Sequence, residues 1–304
     1  MHKIFVVGLI FTMWFVLAGV TYSQEIPKKN VLTMGRFSDK AFKGQKHIMP
    51  IISYLASKLK DMGIEQGEAM LVRDNEMVIE YLKEGKLDIV LESPFSAYQY
   101  KVKANAIPIL SVWRKGVGEY SSVIFVRKDS GIQQVEDLKG RVFAFEDPGS
   151  TSSYFLPKYT LKAKGLDFVG IDSSDSLVPE GKTGYVFAGS ELNISNWVFF
   201  NKVDAGTLSN SDWSDQKDNP EAYRKEFKII YETLKVPRML LVVREGINKE
   251  LLERIKEELL KMDKSKEGRD ALKPFKVKKF TELSEDSLGH IENLLRKVSS
   301  EELY

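Results

Sequence analysis

Ser150-Thr151-Ser152-Ser153 sets four hydroxyl side chains in succession between an apolar strand, Arg141-Val142-Phe143-Ala144-Phe145, and a helix expected from about Tyr154 to Lys164. Asp147-Pro148-Gly149 turns the chain just ahead of them. At a helix start the first backbone N–H groups have no intrahelical acceptor, and the helix dipole favours an anion beside them. The hydroxyls of Ser150, Thr151 and Ser152 would add donors without adding charge, so that a tetrahedral oxyanion could be held at several points. A single Ser or Thr at this position is ordinarily an N-cap. Four in a row exceed what a cap requires, and the pattern alone leaves both a capped helix and an anion site open.

Other chemistries find little support. The 304 residues contain no cysteine, which excludes disulfides, thiolate metal sites, a cysteine nucleophile and a lipoprotein anchor. A Ser-His-Asp triad or a histidine metal cluster would need His47 or His290, and both stand in polar, helix-like surroundings that read as surface. The formal net charge is only +2 and no basic stripe is present, which argues against nucleic acid as a partner. Carboxylates such as Glu92, Glu191 and Asp204 could in principle pair for acid–base work, but no nucleophile–base motif or metal-ligand spacing accompanies them. These residues point away from an enzyme, and no cofactor or metal is expected.

The elements around the hydroxyl run alternate between strand and helix. Val31–Gly35, Met70–Val72 and Leu87–Leu91 read as strands. Between them, His47 to Met62 and Asn75 to Glu84 carry apolar residues at helical spacing, with Gly85 as a C-cap. Ser121–Val126, the 141–145 run, Gly184–Phe187, Val203–Gly206 and Met239–Val243 continue as strands, and Ile247–Met262 and Asp286–Val298 as helices. Asp212 to Glu221 reads as a polar surface excursion. Repeated β-α-β-α order implies a mainly parallel sheet covered by helices, with ligand beyond the carboxyl ends of the strands. At the N-terminus, a short basic start, the apolar stretch Ile4 to Val20 and the small residues before Gln24 read as a cleavable secretory signal. An uncleaved anchor helix is the alternative.

The stretch Tyr120 to Ile132, followed by Asp137-Leu138-Lys139-Gly140 and the Asp-Pro-Gly-Ser-Thr-Ser run, resembles the phosphonate-binding component of phosphate/phosphonate ABC importers. The helix-Gly-strand unit Met77 to Ile89 and the segment Val203-Asp204-Ala205-Gly206 extend the resemblance over about residues 30 to 275. The resemblance implies an α/β type II periplasmic-binding fold: two lobes with mixed, mainly parallel sheets, joined by two hinge strands. The crossovers are expected near Trp113–Ser122 and Lys235–Val243. Residues 1–23 would be the signal, 24–120 plus 244–304 a discontinuous first lobe, and 121–243 the second. It also implies that Ser150, Thr151 and Ser152 grip a phosphoryl group and that Asp204 is an acidic cleft residue; a strand-end Asp capping a turn is the alternative for Asp204. Three positions depart from the family pattern: Ser153 replaces Gly, Glu191 replaces His, and Glu92-Ser93 stands where a Tyr is common. Glu92 and Glu191 would weaken a bare dianion and favour a protonated or amine-bearing ligand. Tyr120 would either offer a hydroxyl from the hinge or pack there. The implied protein is a monomer in the periplasm, delivering phosphonate, phosphite or phosphate to an inner-membrane permease. A sensor of the same fold that reports another anion to a membrane receptor is the alternative.

Overall fold

The computed structural model describes residues 30–37 and 41–284, together with Gly289, Glu292 and Asn293. The expected signal (1–23), His290 and most of the expected helix over 286–298 lie outside the described residues. The strands are β1 (Val31–Phe37), β2 (Gln66–Val72), β3 (Ile89–Glu92), β4 (Ile107–Arg114), β5 (Glu119–Tyr120), β6 (Ser122–Arg127) and β7 (Val142–Phe145). They continue as β8 (Phe168–Gly170), β9 (Thr183–Phe187), β10 (Ala205–Ser209), β11 (Phe227–Glu232), β12 (Val236–Pro237), β13 (Leu240–Val243) and β14 (Val277–Glu282).

Two six-stranded sheets result, in the orders β14-β4-β13-β3-β1-β2 and β11-β6-β10-β7-β9-β8. In the first, β1, β2 and β3 are parallel, and β13 runs antiparallel to both β3 and β4. In the second, β7, β8, β9 and β10 are parallel and β6 opposes β10 and β11. Parallel strands are covered on both faces, so their sequences are continuously apolar. Ile89-Val90-Leu91 illustrates this: Ile89 and Leu91 join the core under the helix Ala41–Lys58, while Val90 joins the opposite core with Val78 and Leu82 of the helix Asn75–Lys83. The second sheet repeats the arrangement, with Phe143 and Phe145 on one face and Val142 and Ala144 on the other.

The chain passes between the sheets through a two-stranded ribbon, in which β5 and β12 pair antiparallel and Tyr120 lies opposite Val236. Beside this ribbon the two lobes touch. Phe95, from the helix Pro94–Ala104, stacks on Phe155 with ring centroids 3.9 Å apart at 15°. Tyr120, Leu156, Tyr159 and Val236 complete that buried cluster.

Two expectations are corrected here. The residues Val203-Asp204-Ala205-Gly206 do not end a strand; they lead into one, since β10 runs from Ala205 to Ser209. Asp204 Oδ2 accepts from the Val142 N–H at 2.8 Å, and its Oδ1 lies 3.5 Å from Arg141. Asp88 plays the same part in the first lobe, where it precedes β3, accepts from the Thr33 N–H at 2.9 Å and pairs with Arg244 at 2.9 Å. Each Asp ties the start of its strand to the parallel neighbour. The second correction concerns His47, which is half-buried and stacks on Phe275 at 5.7 Å instead of standing on an open surface. Asp88→Ala strands a buried N–H and a guanidinium and is expected to cost about 3 kcal/mol. Asp204→Ala, at a half-exposed site, is expected to cost about 1 kcal/mol. Urea unfolding of the two variants checks the order, and an equal or reversed ranking contradicts it.

Candidate functional site

Parallel strands deliver their carboxyl ends to one edge of a sheet, and here the corresponding edges of both sheets face each other across a cleft of about 260 Å³. From the first lobe, Arg36 lies near the end of β1, Glu92 ends β3, Arg114 ends β4, and Ser93 and Ser96 open the helix Pro94–Ala104. Asn75 opens the neighbouring helix and accepts from the Tyr100 hydroxyl at 2.6 Å. Because β13 is antiparallel, its beginning reaches the same edge and brings Arg238 and Met239. From the second lobe come Glu146, Asp147 and the run Gly149 to Ser152 after β7, Glu191 after β9, and Asp212 after β10. Tyr120 enters from the hinge.

The charges are segregated. Three guanidiniums (Arg36, Arg114 and Arg238) lie on the first lobe and its hinge. Four carboxyls (Glu146, Asp147, Glu191 and Asp212) lie on the second, and Glu92 stands among the arginines. Burial pushes the Glu92 carboxyl up to about 7, against the pull of Arg36 and Arg114. Burial, then the neighbouring Glu191, pushes Glu146 up to about 8. Burial and the repulsion of Arg238 and Arg36 lower Arg114 to about 10, so it stays charged at neutral pH.

The expected site residues Ser150, Thr151, Ser152, Glu92, Ser93, Tyr120 and Glu191 all line the cleft. Ser153 and Asp204 do not. Ser153 is fully buried behind the run, where its N–H donates to Ser150 Oγ and its carbonyl accepts from Glu146. Asp204 stands at the far, amino-terminal end of β10. The acidic residue that β10 supplies to the cleft is Asp212, which is buried and takes a hydrogen bond from Ser209 at 2.6 Å. It lies in the stretch expected to be a surface excursion. The helix itself begins earlier than expected, with a π-turn over Thr151–Phe155 before Leu156–Lys162. The arginines, Asn75, Glu146 and Asp147 were not singled out from the sequence. Glu146 and Asp147 directly follow an assigned strand, and Arg36 lies one residue beyond another; both were within reach of the rule that strand ends build the site.

Glu92 and Glu146 titrate higher in the folded chain than their ordinary value of 4.5. The folded state therefore binds more protons than the unfolded one between about 4.5 and 8, and stability without ligand falls as pH rises through that window. The melting temperature is expected to be higher at about pH 5.5 than at about pH 8.5, and Glu146→Gln is expected to flatten the difference. A melting temperature that rises over the same interval contradicts the assignment.

The family model described as ABC transporter, phosphonate, periplasmic substrate-binding protein matches residues 43–288. The Phosphonates-binding periplasmic protein of Escherichia coli (strain K12) is 26% identical over 281 residues, covering 90% of this chain and 78% of the relative. XAC2383 from Xanthomonas citri, solved with chloride, is 30% identical with a TM-score of 0.81, covering 87% of this chain and 96% of its own; a second structure holds ATP. PhnD1 from Prochlorococcus marinus (MIT 9301), in complex with methylphosphonate, shares the fold at 21% identity and a TM-score of 0.62, covering 88% of this chain and 98% of its own. With two parallel-rich sheets facing across a cleft and a family match over most of its length, the chain belongs to the periplasmic substrate-binding proteins of phosphonate ABC transporters.

Proposed function

We propose that this chain captures a phosphonate that also carries an amine and hands it to an inner-membrane permease. The observation that supports this is the separation of charge across the cleft, with guanidiniums on one wall and carboxyls on the other. A buried charge without a partner is costly. Phosphate, phosphite or methylphosphonate would answer the guanidiniums and bring no cation to Glu146 and Glu191, whereas Asp212 already has Lys115 at 3.7 Å. A zwitterion such as 2-aminoethylphosphonate answers both. It also brings little net charge into a cleft whose own charges nearly cancel once Glu92 and Glu146 hold protons.

Closing the lobes on such a ligand removes water from both walls and strengthens each charge-assisted contact. Ligand binding energy then favours the closed form, the form a permease would recognise. Binding and release are the whole of the proposed cycle; no bond of the ligand is made or broken. Removal of residues 1–23 on export would free the mature chain in the periplasm. Among the described residues no helix is long and apolar enough to cross a membrane.

Titration calorimetry at about pH 7 with 2-aminoethylphosphonate, methylphosphonate, phosphite, phosphate, ATP and taurine tests the proposal. The amine-bearing phosphonate is expected to bind at least about tenfold more tightly than methylphosphonate, a difference of about 1.4 kcal/mol. At about 100 times its Kd it should also stabilise the fold by about 2.7 kcal/mol. Methylphosphonate, phosphite or phosphate binding as tightly, or ATP binding more tightly, overturns the choice of ligand.

A further inference from the structure

We infer that the cleft reads a second acid group: a carboxylate on the ligand docks on the guanidiniums of Arg114 and Arg238, while the phosphonate takes the hydroxyl run as the family resemblance implies. This rests on the proposed amine-bearing phosphonate and narrows it to amino acids that carry a phosphonate, such as 2-amino-3-phosphonopropionate.

Arg114 and Arg238 are positioned without being neutralised. Arg114 lies 4.7 Å from the centroid of the Phe275 ring, and its Nε donates to the Phe275 carbonyl at 3.3 Å. Arg238 lies 4.8 Å from the centroid of the Tyr120 ring, and its backbone N–H donates to the Gly118 carbonyl at 2.7 Å. An aromatic face positions a guanidinium while leaving its N–H edge available. Among the described residues neither Arg114 nor Arg238 has a carboxylate within 4.0 Å, and Arg238 Nε is buried with no hydrogen-bond partner. Burial, then repulsion from Arg238 and Arg36, lowers Arg114, and the attractions of Glu92 and Asp212 are each smaller. Two cations gathered in a cleft, one with a buried donor unmet, call for an anion beside them. A carboxylate presents two coplanar oxygens that match the fork of a guanidinium.

A phosphonate on the hydroxyls of Ser150, Thr151 and Ser152 belongs to the second lobe. It answers the guanidiniums of the first lobe through space, and their N–H edges still need an acceptor. The two anchors are neighbours, because Tyr120 hydrogen-bonds with both Thr151 and Arg238. In a cleft of about 260 Å³, a short carbon skeleton joins a group on one to a group on the other. The ammonium of the same ligand is left for Glu146 and Glu191. Asp212 already has Lys115 at 3.7 Å, and Glu146 holds its proton at neutral pH, since burial and then Glu191 push its carboxyl up to about 8. The acidic wall therefore asks for less positive charge than its carboxyls suggest, whereas the guanidiniums stay charged. A ligand with two acid groups and one amine fits that imbalance better than a ligand with one of each.

The test is calorimetry of methylphosphonate, 2-aminoethylphosphonate, 3-phosphonopropionate and 2-amino-3-phosphonopropionate with the full mature chain and its variants. The probe with all three groups is expected to bind at least about tenfold more tightly than 2-aminoethylphosphonate, and 3-phosphonopropionate more tightly than methylphosphonate. Arg114→Met and Arg238→Met, which keep the aliphatic stem, are each expected to cut the first preference to about twofold or less. Arg238→Lys, which keeps the charge and gives up the fork, is expected to retain part of it. Circular dichroism and the melting temperature establish that each variant folds; if a Met variant does not, the Lys variant decides. Equal binding of 2-amino-3-phosphonopropionate and 2-aminoethylphosphonate, as a single phosphonate bridging Thr151 and Arg238 would give, overturns the second acid site. A preference that survives undiminished in the arginine variants overturns it too. The amine is judged separately: amine-bearing probes that bind no more tightly than their amine-free counterparts overturn the proposed function, whatever the carboxylate does.

Discussion

Both sheets present the carboxyl ends of their parallel strands to the same gap, and the site follows from that constraint. A parallel strand carries every chemically useful residue that follows it to one edge. Two sheets joined by one short ribbon, with Tyr120 opposite Val236, then have those edges face each other. Arg36, Glu92 and Arg114 reach the cleft because they stand at or near the ends of β1, β3 and β4. Glu146, Glu191 and Asp212 reach it because they follow β7, β9 and β10. Arg238 arrives from the start of its strand because β13 runs the other way.

The electrostatic pattern is the feature of the cleft that sets ligand choice. Arginines gather on one wall and most of the carboxyls on the other, and only part of this charge is answered within the protein, as where Lys115 lies 3.7 Å from Asp212. Aromatic faces make this arrangement possible: Phe275 lies beneath two guanidiniums and Tyr120 beneath the third. Glu92 relieves part of the positive charge, and burial makes its proton easy to gain near neutral pH. Burial and crowding do the same for Glu146 on the opposite wall.

Much of this was legible in the sequence. The alternation of short apolar runs and amphipathic helices and a candidate site following Phe145 come from local patterns, while the two crossovers were implied by the family resemblance. The errors concern direction and partners. Val203-Asp204-Ala205-Gly206 resembles a strand end, but it leads into β10, which places Asp204 at the opposite edge from the cleft. The matching role of Asp88 ahead of β3 shows that an Asp just before a buried strand can be a structural tie. Asp212 was missed because the polar stretch that follows it outweighed its position just after an apolar strand. The arginines were missed for a different reason. Arg36, Arg114 and Arg238 are far apart in the chain, and only the antiparallel insertion of β13 between β3 and β4 brings the third to the other two. Nothing local records that pairing.

The most direct measurement is a crystal structure of the chain grown with 2-aminoethylphosphonate. A ligand held in the cleft with its ammonium directed at Glu146, Glu191 or Asp212 is the result this account predicts. A ligand whose ammonium faces solvent, with no carboxyl of the second wall in contact with it, would contradict the account.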